Sequence, residues 1–200
     1  MRRLLPVLAV VAALAAAACE SPQVRKNPKK FEGLDRRLDA FTYVEEGKLV
    51  ALAVGTQATR YREAESYIPL AVGIANKGVT VVKINRESFL LYDDGGRRYP
   101  MAPFSEINEK YHRAQTDRNF TTFFEIWNGK FPSYSYVDSA FFPIRTEGVV
   151  FDRLELPKFH YASEYLYFPR PEGALIGRRF ELHLQAEGLP DPVFVKFLVD

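Results

Sequence analysis

Near the end of the chain, bulky and polar residues alternate strictly. Phe180, Leu182, Leu184 and Ala186 fall on one side, and Glu181, His183, Gln185 and Glu187 on the other. Side chains on a strand point to opposite faces in turn, so this is the mark of an antiparallel strand with one face buried and the other wet. Gly188-Leu189-Pro190-Asp191-Pro192 then turns the chain into a last strand, Val193 to Val199. A fold that ends this way needs a second layer to cover the apolar face.

The same grammar recurs upstream. Phe41 to Glu45 and Leu49 to Thr59 read as strands around the turn Glu46-Gly47-Lys48. Ile68, Leu70, Val72 and Ile74 alternate with the smaller Pro69, Ala71, Gly73 and Ala75, a period of two with its bulky face toward a core. After Asn76-Lys77-Gly78 come Val79 to Ile84 and Phe89 to Tyr92. Asp93-Asp94-Gly95-Gly96 follows, where aspartate and glycine tolerate the positive φ of a tight hairpin. Phe104, Ile107, Tyr111 and Ala114 recur at helical spacing, with Ser105 placed to cap and Lys110 and Arg113 toward the C-terminal end. Strand-like Phe120 to Trp127, a looser Phe131 to Phe142 and a strand from Val149 to Leu156 lead into 157–171. The expected fold class is all-β: an antiparallel β-sandwich with one short helix inserted, with a closed barrel as the competing architecture.

The N-terminus follows other rules. Arg2 and Arg3 precede an apolar run from Leu4 to Ala18, which is short of the roughly 20 residues a membrane span requires. A charged start, a short apolar stretch and small residues before a cleavage point are the parts of a secretory signal. Ala16-Ala17-Ala18 lead directly into Cys19, the chain's single cysteine. This stretch resembles the lipobox of bacterial lipoproteins. The resemblance implies cleavage after residue 18, acylation of Cys19 and a membrane-held protein. Glu20 stands where aspartate would imply retention on the inner membrane, so the periplasmic face of the outer membrane is expected. The domain expectation is a signal peptide at 1–18, an acylated N-terminus and basic linker at 19–37, and a β-sandwich at 38–200. In the linker, Arg25, Lys26, Lys29, Lys30, Arg36 and Arg37 suit anionic headgroups, or else form a solvated tether.

A second resemblance lies in Tyr67 to Pro100. Asn76, Gly78, Phe89, Asp94, Gly96 and Tyr99 stand as in the immunoglobulin-like accessory domains of bacterial surface lipoproteins. It implies an immunoglobulin-like sandwich and a binding or structural module without chemistry of its own.

Searching for chemistry gives little. The chain has 27 basic and 25 acidic residues, and two of the basic ones leave with the signal, so nothing points to nucleic acid. His112, His160 and His183 form no HExxH pair, and Asp93-Asp94-Gly95-Gly96 lacks the spaced ligands of an EF-hand. Gly73 to Gly78 has phosphate-loop spacing, but Val79 stands where the lysine should be. There is no G-x-S-x-G elbow. No catalytic residue, metal site or cofactor is therefore expected, and the protein is read as a non-enzyme. What stands out is aromatic wealth: Phe120, Phe123, Phe124, Trp127, Phe131, Tyr134, Tyr136, Phe141 and Phe142, then Phe159, Tyr161, Tyr165, Tyr167 and Phe168. Tyrosine joins apolar area to a hydroxyl that tolerates water, which suits interfaces. Tyr134, Tyr136, Tyr165, Tyr167 and Arg170 are the expected contact residues for an envelope protein, with a glycan such as peptidoglycan as the alternative ligand.

Overall fold

A computed structural model describes residues 33–138 and 153–200. The signal, Cys19 and the linker to residue 32, together with Phe141, Phe142 and Val149, lie outside the described residues. The chain opens with β1 (Arg36–Arg37), β2 (Thr42–Glu46), β3 (Val50–Gly55), the short α1 (Gln57–Arg60) and β4 (Tyr67–Asn76). Next come β5 (Val81–Asn85), β6 (Phe89–Asp93), β7 (Arg98–Pro100) and three helices, α2 (Phe104–Lys110), α3 (Ala114–Asp117) and α4 (Thr122–Lys130). β8 (Ser135–Tyr136), β9 (Arg153–Pro157), β10 (His160–Pro169), β11 (Arg179–Leu184) and β12 (Val193–Leu198) complete it. The protein is mostly β, with antiparallel sheets and a few short helices.

Among the described residues six strands form one sheet in the order β1-β2-β3-β4-β10-β8, four form another in the order β12-β11-β6-β7, and β5 pairs with β9. The alternation read at 180–186 holds: Phe180, Leu182 and Leu184 are buried while Arg179, Glu181 and His183 face outward. These inward residues, with Val195 and Phe197 of β12, pack against the large sheet, where Tyr43 meets Phe197 at 6.3 Å between ring centres. The β6–β7 hairpin is present as expected. Its turn is tied by Asp93, whose carboxylate accepts the amides of Gly95 (3.0 Å) and Arg97 (2.9 Å), the Tyr99 hydroxyl (2.9 Å) and Arg178 (2.9 Å).

The second face of the large sheet is covered too. All residues of β3 and β4 are buried. Register pairs Ala51 with Ala75, Ala53 with Gly73 and Gly55 with Ala71, so one face of this strand pair carries small residues only. α4 lies in that shallow trough. A Cβ on Gly73 would stand 2.5 Å from the Trp127 ring, and one on Gly55 would stand 2.7 Å from the Phe123 ring. The fold is thus helices, large sheet, small sheet.

Four expectations are corrected here. Phe120 to Trp127 is not a strand. Phe123 and Trp127, four apart, share the buried face of α4, and the trough of small residues accepts them only in that form. The strand begun at Leu49 stops at Gly55, and α1 follows. Among the described residues the one expected helix becomes four α-helices, and α2 begins after Pro103 with no side-chain cap, so Ser105 does not cap it. Residues 160–169 form the ten-residue β10, paired along its whole length with β4.

The N-terminal chain is fastened before β2 begins. Asp35 donates its amide to the Lys196 carbonyl (3.1 Å) and accepts the Lys196 amide on Oδ2 (2.7 Å), occupying both outward groups of one residue on the edge of β12. Arg37 pairs with Asp200 (2.5 Å) and donates to the Tyr43 hydroxyl.

Candidate functional site: an aromatic ladder from core to edge

Trp127, fully buried, meets Phe131 edge-on at 4.8 Å, and Phe131 meets Tyr134 at 5.1 Å. Tyr134 meets Phe159 at 5.6 Å with the rings near perpendicular. A branch runs from Phe131 to Tyr161 (6.3 Å) and on to Tyr136 (5.4 Å). The series starts under α4 and ends in solvent, with Tyr136 50% and Phe159 51% exposed. Two short segments hold these ends. β8 runs parallel to the start of β10, pairing Ser135 with His160 and Tyr136 with Tyr161. The Lys158–Phe159 turn carries the chain from β9 to β10, and Phe159 there adopts φ 61°, uncommon for a bulky side chain. Its amide donates to Asn76 O (2.8 Å) and its carbonyl accepts the Ser135 amide (3.1 Å).

The five expected contact residues separate. Tyr134 is half-buried and Tyr136 exposed, side by side near the start of β10. Tyr165 and Tyr167 are buried, which corrects their assignment to a surface. Both lie on the face of β10 that looks at the helices, where Tyr165 donates to Phe120 O (3.1 Å) and Tyr167 to Ala114 O (3.4 Å). Burial pushes both phenols well above the ordinary tyrosine range. Arg170 sits at the other end of β10, donating to Gly173 O (2.7 Å), and does not join the tyrosines. Phe159 and Leu49, both exposed, were not among the expected contacts; an aromatic directly after Pro157-Lys158 in a strand-to-strand turn was the available signal.

Several of the titratable side chains pair with one another. Under the helices, buried Asp117 accepts Arg62 (2.8 Å) and the Tyr111 hydroxyl (2.8 Å). Loss of water raises the Asp117 pKa, against the lowering by those two bonds. This clamp fixes α3 to the turn after α1. A polar cleft of about 330 Å³ lies between β5, β9 and the loop after β11. Its charges are matched, Lys83 to Glu187 (2.5 Å) and Arg153 to Glu155 (3.3 Å). Among the described residues no three metal-ligating side chains come together. His183 pairs with Glu181 (2.8 Å), and His160 bonds the Lys158 carbonyl (2.9 Å). No helix among the described residues is long and apolar enough to cross a membrane.

No family model and no curated protein matches the chain. Among solved structures it is similar to ycdA of Bacillus subtilis, described as a candidate lipoprotein, at 12% identity and a TM-score of 0.41. The similarity covers 77% of this chain, which spans 38% of the length of that one.

Proposed function

We propose that the chain is a lipid-anchored, non-enzymatic binding module of the cell envelope. It is held through acyl groups on Cys19 at the periplasmic face of the outer membrane. Its β domain is read as an immunoglobulin-like sandwich with an added helical cover, and it grips an envelope protein along the β8 edge. The observation that carries the contact is Tyr136: half exposed, on a two-residue edge strand, backed by Tyr161 and flanked by Tyr134. A rigid aromatic backed by other rings loses little freedom on binding. The anchor rests on Ala16-Ala17-Ala18-Cys19 after a short apolar run.

The alternative, a glycan platform, is less well supported by the ladder. Sugar stacking asks for exposed rings in one plane, whereas Tyr134 and the exposed Phe159 meet at 73°. Two measurements test the reading. The mass of the processed protein should show a diacylglyceryl thioether on a new N-terminal Cys19, and a bare residue there removes the anchor. A photo-crosslinking side chain at position 136 in living cells should give one discrete protein adduct that the same group at buried position 167 does not. Adducts equal at both positions, or none at 136, reject the β8 edge as the contact.

A further inference from the structure

Three turns meet at one end of the large sheet: Gly47–Leu49, Lys77–Thr80 and Lys158–Phe159. Backbone bonds knit them together. The amides of Lys77 and Gly78 donate to Leu49 O (2.8 and 3.0 Å), Lys158 N to Thr80 O (3.1 Å) and Phe159 N to Asn76 O (2.8 Å). Asn76, fully buried, is the hub: its side-chain amide donates to Val79 O (2.8 Å) and Leu156 O (2.9 Å) and accepts the Val79 amide (2.9 Å). The tip is therefore one rigid surface.

Its chemistry is mixed in a particular way. Leu49 (38% exposed) and Phe159 (51%) project from it, and each of the three turns supplies a lysine: Lys48, Lys77 and Lys158. Lys158 lies over the Phe159 ring at 4.8 Å, and Lys77 donates to Gly47 O at 2.9 Å. Glu46, an acid close to the tip, is engaged by Lys130 (2.6 Å) and Arg36 (3.5 Å) and also feels the charge of Lys77. The positive φ at Phe159 holds an apolar ring in water, where burial in the core would have been the cheaper arrangement.

The direction of the chain supplies the second observation. β1 is antiparallel to β2, with Arg37 opposite Tyr43 and Arg36 opposite Val44. Followed toward its N-terminus, β1 therefore heads for Gly47 and this same tip. We propose that the tip is the face the domain turns to the bilayer. Phe159 and Leu49 enter the headgroup layer, and Lys48, Lys77 and Lys158 meet anionic phospholipid headgroups. The inference rests on the anchored reading only for bringing a membrane near.

The test uses the mature chain, residues 19–200, carrying Cys19→Ser so that no acyl group can attach. Its binding is read by co-sedimentation with vesicles of phosphatidylglycerol mixed with phosphatidylcholine, and with phosphatidylcholine alone. Binding should favour the anionic vesicles and weaken as salt rises. Each of Lys48→Gln, Lys77→Gln and Lys158→Gln should weaken it roughly fivefold, and the three together about a hundredfold. Phe159→Asn, polar and tolerant of the same backbone, should weaken it about fivefold. The differences should persist when Arg25, Lys26, Lys29 and Lys30 are glutamine. In the acylated protein, Phe159→Trp should be quenched by lipids brominated on their acyl chains, while buried Trp127 is not. A triple lysine variant that binds like its parent, or an unquenched Trp at 159 on vesicles that carry the protein, overturns the proposal. Failure of the anchor shows separately, as a Cys19 without lipid.

Discussion

Adding one methyl group at Gly73 tests the layered architecture. The new Cβ would lie 2.5 to 2.6 Å from three atoms of the Trp127 indole, so the ring has to retreat by about 1 Å to reach ordinary contact. It has nowhere to go. Trp127 is fully buried, with Phe131 at 4.8 Å and Phe123 stacked at 6.4 Å. Moving α4 as a body would strain the Tyr165 bond to Phe120 O and the Lys130–Glu46 pair at its two ends. Overpacking of this kind costs about 1–3 kcal/mol, and an immobile partner puts Gly73→Ala near the upper limit. For a domain of this size that lowers Tm by roughly 6–12 °C. The assay is urea unfolding followed by the emission of the single tryptophan, expecting a lower midpoint at unchanged slope. Gly129→Ala is the control: nothing stands within 4 Å of its Cβ, and a helical glycine replaced by alanine should gain about 0.5 kcal/mol. Gly73→Ala within about 0.5 kcal/mol of the parent would refute the seating of α4 in the trough.

Two further outcomes follow from the buried polar groups. Asn76→Ala strips partners from the Val79 amide and from the Val79 and Leu156 carbonyls. It should cost about 2–3 kcal/mol and speed hydrogen exchange at Val79; unchanged exchange would count against the hub. Arg62→Met leaves the fully buried Asp117 carboxylate without its cation, costing about 3 kcal/mol at pH 7. Because burial already raises that carboxyl above its unfolded value of 3.8, the folded variant binds a proton that the unfolded chain has released. Its stability is then greatest on the acid side and falls as pH rises through the folded pKa. Urea midpoints of parent and variant should converge as pH drops toward 4, and a gap independent of pH would contradict this.

Legibility of the fold in the sequence depended on how many faces each strand buries. β11 and β12 have one wet face, so polar residues spell out the period. The β6–β7 hairpin was readable because Asp93 to Gly96 carries the turn chemistry itself. β10 is buried on both sides from Tyr161 to Phe168, and with Tyr161, Tyr165, Leu166, Tyr167 and Phe168 there was no alternation to read. α4 was mistaken for a strand because Phe124 and Ile126 interrupt the Phe123–Trp127 spacing, and aromatic and β-branched residues favour strands in isolation. The trough that overrides this preference is set by Ala51, Ala53 and Gly55 opposite Ala75, Gly73 and Ala71. It is a pairing between strands, invisible until register is known. The expected contact residues divide the same way: Tyr136 lies exposed on an edge, whereas packing claims Tyr165 and Tyr167.

The clasp at Asp35 bears on how copies of the molecule keep apart. β12 is an outer strand, and a bare outer strand invites another chain to extend the sheet. One aspartate fills the donor and the acceptor of Lys196, so Asp35 acts as a stopper at mid-strand. A protease cutting just after Asp35 would remove the stopper. The released domain would carry an open ladder, ready to zip onto the next copy.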